Sequence, residues 1–233
     1  MGLLDGKPNV RNLEKEKDIS GLINALKHKD INVRIDAENA FTRIRDEKAL
    51  DILINALNDE NSDVRWNAAS ALGKLKNKKA TYPLIHLLKD EKWHVRMHAA
   101  IALGEIGDDD AIDPLIESLN DKNIRNNVAS AIGNLGNSKA VKYLVECLDD
   151  EDLVFINHIE DALGKIGNEE AVEPLVKLLN NDDVSIKRHA AVALGKVGSE
   201  KAIEPLNEAL KDKRWYVRLQ IEEALKEIES KRP

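Results

Sequence analysis

The sequence predicts an all-α fold assembled from repeated helix pairs, and three observations carry that expectation. One motif returns along the chain: "AIALGEIGDDDAIDPLIESL" at 100–119 comes back as "DALGKIGNEEAVEPLVKLL" at 161–179 and "AVALGKVGSEKAIEPLNEAL" at 191–210, the mark of stacked structural units. Aromatic residues make up only 3% of the chain against a hydrophobic fraction of 42%. The interior is therefore built from Ala, Leu, Ile and Val, which suits closely packed helices. Apolar residues also recur at helical spacing, as at Ala171, Leu175, Leu178 and Leu179.

The repeat has a period of 31 residues. A lead-in of 1–17 is followed by units at 18–48, 49–79, 80–110, 111–139, 140–170, 171–201 and 202–233, the fourth two residues short. The lead-in reads as a short helix near 9–17 covering the first unit. Each unit then opens with a first helix, often carrying proline in its first turn (Pro83, Pro114, Pro174, Pro205), where the ring removes no helical hydrogen bond. An acidic or amide-rich turn such as "KDEK" or "NNDD" follows, suited to capping the next helix. The second helix carries the frame V-R-x-x-A-A-x-A-L-G-x-I-G. Paired glycines at its end (Gly104 and Gly107, Gly195 and Gly198) are expected to terminate it. A two-helix unit cannot bury its apolar face alone, so neighbours stack and the ends need polar faces; "LKEIESKRP" supplies one.

Seven units in phase, on this frame, resemble the HEAT-like repeats of the phycobilisome-lyase subtype over about nine tenths of the chain. The resemblance implies an α-α superhelix, a right-handed solenoid with first helices on the convex side and second helices lining the concave side. It also implies that Arg34, Arg65, Arg96, Arg125, Lys187 and Arg218, which share one frame position, form a ladder between repeats with turn aspartates such as Asp59, Asp90 and Asp212. Alanine is identical in all seven units at Ala40, Ala71, Ala102, Ala131, Ala162, Ala193 and Ala224, fitting a helix contact too close for a larger side chain. Units four and five break the pattern, with Ile156 in place of Arg and Glu160 in place of the second Ala of the frame. The ladder is expected to break there.

Removing the frame leaves the variable positions of the second helices, which in similar solenoids line the concave face. They are polar, rich in Asn and near neutral, with an apolar cluster in the second and third units. Exposed Trp and Met beside a polar rim suit protein recognition. The expected partner contacts are Trp66, Asn67, Trp93, His94, Met97, His98 and Ile101, with Asn127 and His158 continuing the series.

Chemical readings fare less well. His94 and His98 stand four apart on one helix face, but Val95 replaces the Glu of the zinc-hydrolase pattern and the neighbouring units offer only Asp63 as a further ligand. His158 and His189 form a weaker pair. The His-Glu pairs that mark the di-iron hydroxylases of this repeat group are absent, and no nucleophile elbow, phosphate loop or kinase set occurs. No catalytic residue, metal site or cofactor is therefore expected, and the leading reading is a non-enzymatic scaffold that binds a protein or peptide. The alternative is a lyase-like or metal-dependent enzyme, or enzyme subunit, of the same repeat group. A net charge of −7 spread along the chain argues against nucleic acid. Without a long apolar run a membrane is not expected either, and with Cys147 as the one cysteine the default is a cytoplasmic protein.

Overall fold

A computed structural model of the chain describes residues 7–44 and 46–232. The first six residues of the lead-in, Arg45 and Pro233 lie outside the described residues. Among those described, all regular structure is helical, in chain order α1 (Val10–Glu16), α2 (Ile19–Ala25), α3 (Ile31–Ile44), α4 (Glu47–Ala56), α5 (Ser62–Leu75), α6 (Thr81–Leu87), α7 (Trp93–Ile106), α8 (Ile112–Ser118), α9 (Arg125–Leu135), α10 (Val141–Glu146), α11 (Leu153–Ile166), α12 (Val172–Leu178), α13 (Val184–Val197), α14 (Ile203–Ala209) and α15 (Trp215–Ser230). The expected all-α fold of helix-pair repeats is what the chain adopts. It divides into two compact units, one ending at Pro114 and the other beginning at Leu115.

The lead-in helix α1 is capped by Asn9, whose side chain accepts from the Asn12 amide, and each repeat then follows one local logic. First helices are short and are commonly preceded by a single 3₁₀ turn whose amide is held by an Asn or Ser side chain, as Asn77 holds Lys79 and Ser199 holds Lys201. Second helices are longer, mostly 14 residues as in α5, α7 and α13. Their starts use the turn residues as caps: Asn61 accepts from the Asp63 amide and Asp183 from those of Ser185 and Ile186. In the short fourth repeat α9 begins later and keeps only 11 residues.

The paired glycines divide their labour, which corrects the sequence expectation. Only the second terminates the helix: Gly107 and Gly198 sit in the left-handed region at φ +70° and +76°. The first lies inside the helix and permits close approach. A β-carbon on Gly133 would stand 2.8 Å from Cα of Ala162, and one on Gly195 would stand 2.9 Å from Cα of Ala224. In these pairs the invariant alanine of one repeat meets the first glycine of the repeat before it, whereas Gly164 faces Lys196 instead; all seven alanines are buried. The second repeat ends its helix with Lys76 at φ +52° where the third uses Gly107.

The ladder is present at Arg65, Arg125 and Lys187 but not at Arg34, whose Nη1 donates to the His28 carbonyl at 2.8 Å while Asp59 pairs with Lys27 at 3.0 Å. Arg65 donates through Nε and Nη2 to Asp90 at 2.7 and 3.0 Å, and through Nη1 to the carbonyl of Asp59 in its own turn at 2.8 Å. Arg125 holds Asp150 at 2.6 Å and Asp152 at 3.0 Å, with Phe155 beneath its guanidinium at 4.2 Å. Lys187 reaches Asp212 at 3.3 Å. The fifth repeat breaks the ladder as expected: Ile156 is buried there, and the position that would receive an arginine holds Asn181 instead of Asp. Both charges are missing together, so neither is left buried alone. At the other end of the chain, Glu222 and Lys226 occupy the positions that pack onto a following repeat elsewhere, and both are exposed.

Candidate partner-binding face

In the first compact unit, α3, α5 and α7 lie side by side and present their variable positions on one face. Val33, Val64 and Val95 and the frame alanines turn inward and are buried. What remains outward is a mixture of apolar, polar and charged groups of both signs. Ile31, Ile35 and Trp93 are exposed, Trp93 to 50%. Trp66, His94, Met97, His98 and Ile101 are half-buried.

Trp66 is tied down more firmly than its type suggests. Its Nε1 donates to Asp63 Oδ1 at 3.2 Å, its ring stacks on His98 with centroids 4.6 Å apart, and the Arg34 guanidinium stands 5.8 Å from its centroid. Three successive repeats therefore contribute one column of stacked groups, which presents the edge of Trp66 and leaves Trp93 as the freer indole. Burial pushes the His98 imidazole below its ordinary value, with Glu38 pulling the other way and His94 reinforcing the fall. His98 is thus neutral at physiological pH. Trp93 packs edge-on against His94, with centroids 5.9 Å apart.

Asn67 does not belong to this face, which corrects the sequence expectation. It is fully buried, and its Nδ2 donates to the Asp63 carbonyl one helical turn back. Asn127 and His158 lie in the second unit, both half-buried. The His158 Nδ1 is engaged with the Ser130 hydroxyl at 3.1 Å.

Two charged residues beneath the variable rows were not singled out by sequence reasoning as a pair. Glu38 and Glu160 stand at the second alanine of the frame and are buried. Glu38 is held by the Ser70 hydroxyl and by Lys74 Nζ at 2.7 Å. Glu160 is held by His189 Nδ1 at 2.8 Å and Lys196 Nζ at 3.5 Å. In each case the next repeat neutralises the acid. The signal was available: an acid where other repeats need a methyl group announces a partner in the adjoining repeat. Trp215, Tyr216 and Leu219 are likewise exposed, on α15, far along the sequence from the apolar cluster.

The remaining features of the first unit offer little chemistry. A cavity of about 880 Å³ lies between the first two repeats, lined by Arg43, Lys74, Lys76 and Lys79 among others. Three of those cations are already committed, Arg43 to Glu14, Lys74 to Glu38 and Lys79 to Glu47. No group of three His, Cys, Asp or Glu side chains is gathered to hold a metal among the described residues, and none of the described helices is long and apolar enough to cross a membrane. In the second unit, the half-buried Cys147 thiol is pushed up to about 11 by burial, and Asp150 and Glu146 add to the shift. A thiol so raised is a poor nucleophile.

Comparisons with known proteins agree with this architecture. The sequence pattern of HEAT repeats matches residues 19–93, 54–123, 83–164 and 158–226. No curated protein matches the chain. Among solved structures it is similar to a chain in the complex of CpcE and CpcF of phycocyanin lyase from Nostoc sp., at 24% identity and a TM-score of 0.55, over 90% of this chain and 94% of that one. It is similar also to an archaeal HEAT-like repeats protein from Thermococcus onnurineus, at 19% identity and a TM-score of 0.55, over 91% and 97%. A third is the YibA protein of Escherichia coli, at 18% identity and a TM-score of 0.56, over 97% and 98%. Likeness at this level of identity speaks for the fold, and together with the repeat matches it places the chain in the family of HEAT repeat proteins.

Proposed function

We propose that this chain is a non-enzymatic scaffold whose second-helix face in the first compact unit binds a protein or peptide. Trp93, Met97 and Ile101 form the centre of the contact, with Trp66, His94 and His98 beside them. One observation carries this reading. Trp93 stays half exposed, and Ile31 and Ile35 are exposed on α3 of the same unit, although the frame residues of these helices are buried. The scaffold does not use this apolar surface, and such surface beside a polar rim suits an interface.

The test is recovery of partners from cell extract by wild type, Trp93→Ala and Met97→Ala proteins. Loss of one discrete partner with either variant supports the proposal; unchanged recovery removes this face from consideration. A stoichiometric transition metal in protein purified without an affinity tag would favour the enzymatic alternative.

A further inference from the structure

Frame residues recur every 31 positions because every repeat needs them. A longer periodicity lies in residues that depart from or stand outside that frame. Glu38, Lys74, Trp93 and Glu105 return as Glu160, Lys196, Trp215 and Glu227, all at an offset of 122 residues, which is four repeats. One set falls in each compact unit.

The surroundings return along with the identities. Lys74 reaches Glu38 at 2.7 Å and Lys196 reaches Glu160 at 3.5 Å. Glu105 places Oε2 2.5 Å from where a β-carbon on Gly73 would stand, and Glu227 places Oε2 3.1 Å from the same point on Gly195. Trp93 packs edge-on to His94 at 5.9 Å and 89°, and Trp215 to Tyr216 at 5.8 Å and 85°. Stacking of repeats does not require exposed tryptophans, yet both are exposed, to 50% and 67%.

Each tryptophan begins a row of side chains four apart, which share one side of a helix. On α7 the row is Trp93, Met97, Ile101 and Glu105; on α15 it is Trp215, Leu219, Glu223 and Glu227. Both rows are apolar at the helix N-terminus and acidic toward the C-terminus, with no cation between. Among the described residues Glu105 has no ion pair of its own, since the Lys74 ammonium is drawn to Glu38. Glu223 is met only by the neutral Gln220 amide at 2.8 Å, whereas Glu227 has Lys231 at 2.9 Å. The ends of a row are about 18 Å apart by helical rise.

We propose that the chain carries two equivalent docking stations, one in each compact unit, and that each takes a short polypeptide segment apolar at one end and cationic at the other. Apolar side chains of the segment lie against Trp93 and Met97 in one station and against Trp215 and Leu219 in the other. Its lysine or arginine meets Glu105 in the first, and Glu223 with Glu227 in the second. The spacing accommodates about 12 residues of helix or about 5–6 of extended chain, and the net charge of −7 favours a cationic occupant over an acidic one. This inference rests on the protein-binding reading above and extends it to a second site.

The test uses the full chain and the resolved indole N–H signals of its tryptophans in NMR. The probe is a synthetic peptide of two leucines, three serines and two lysines in that order; the control has glutamates in place of the lysines. Expected are shifts of the Trp93 and Trp215 signals by the lysine peptide with dissociation constants within about twofold of each other, and none by the control. Glu105→Gln should weaken binding about threefold or more at Trp93 alone, and Glu223→Gln at Trp215 alone, as loss of one charge partner in a small contact predicts. No shift with the lysine peptide at millimolar concentration, or equal shifts with both peptides, overturns the proposal. A response at Trp93 with Trp215 silent would sink the second station and leave the partner-binding reading standing; the extract experiment decides that reading separately.

Discussion

Ala102 holds its Cα 2.8 Å from the point where a β-carbon on Gly73 would stand. Backbone there approaches backbone across two repeats, and the same relation joins Gly133 to Ala162 and Gly195 to Ala224. Gly73→Ala should therefore force the helices apart and destabilise the protein by about 1–3 kcal/mol, the usual cost of overpacking. Gly107→Ala has open space around it, and only its φ of +70° resists, so about 1 kcal/mol is expected. Urea-unfolding midpoints of the two variants rank them; an equal or reversed order would show that the interhelical contact is softer than its geometry.

The Arg65 and Asp90 side chains are only 11% and 8% exposed, so removing one member strands the other. Arg65→Met should cost about 3–5 kcal/mol, as for a broken buried pair. Burial alone would raise the Asp90 carboxyl, but the Arg65 guanidinium and the Lys92 amide outweigh it and hold it below its ordinary 3.8. A depressed carboxyl contributes stability that is present above that ordinary value and lost as acid protonates the folded state. Thermal midpoints measured from pH 6 down to pH 2 should fall below about pH 4 in wild type, and less steeply in Asp90→Asn.

Ile156 and Asn181 test the broken rung. Ile156→Arg buries a cation opposite a neutral amide and should destabilise by about 2–4 kcal/mol; Asn181→Asp added to it should restore about 1–3 kcal/mol. The measurement is a double-mutant cycle of unfolding free energies, and strict additivity would mean that the two positions do not meet.

For His98 the direction is opposite to that of a paired histidine. Burial lowers its affinity for a proton below the ordinary 6.5, so the folded chain is protonated less readily than the unfolded one. Stability from neutral His98 is present above that value and declines as pH falls below it. His98→Gln should flatten this part of the profile, as read by thermal midpoints in closely spaced buffers.

Cys147 should react slowly with thiol reagents at pH 8, because its thiol lies near 11 and little thiolate is present. Alkylation followed by mass spectrometry should be about tenfold or more slower than for a free cysteine, reaching parity only in denaturant.

The repeat, its seven units and its helix pairs were readable in the sequence because a solenoid imposes the same packing demand every 31 residues. Recurring residues such as Ala102 and Arg65 therefore declared their roles. Departures from the frame were harder to interpret. Asn67 sits among variable positions by pattern, but its amide bonds to the Asp63 carbonyl and leaves the surface. Gly195 reads as a terminator because it stands near a helix end, whereas the close approach that requires it comes from the next repeat. Trp66 was legible as part of the apolar cluster, but its stacking on His98 was not, since that contact joins unlike positions of adjacent repeats. What pattern alone conceals for the glycine and for Trp66 is a relation between one repeat and its neighbour; for Asn67 it is a bond within its own helix.

The buried acids give the array an order. Glu38 requires the hydroxyl and ammonium that only the second repeat offers, and Glu160 the imidazole and ammonium of the sixth. Deletion of the second or the sixth unit would keep the remaining helices and turns while setting a carboxylate against a neighbour unable to neutralise it. These residues act as addresses, and they make a chain of similar modules non-commutative: the same parts in another sequence would not assemble into the same molecule.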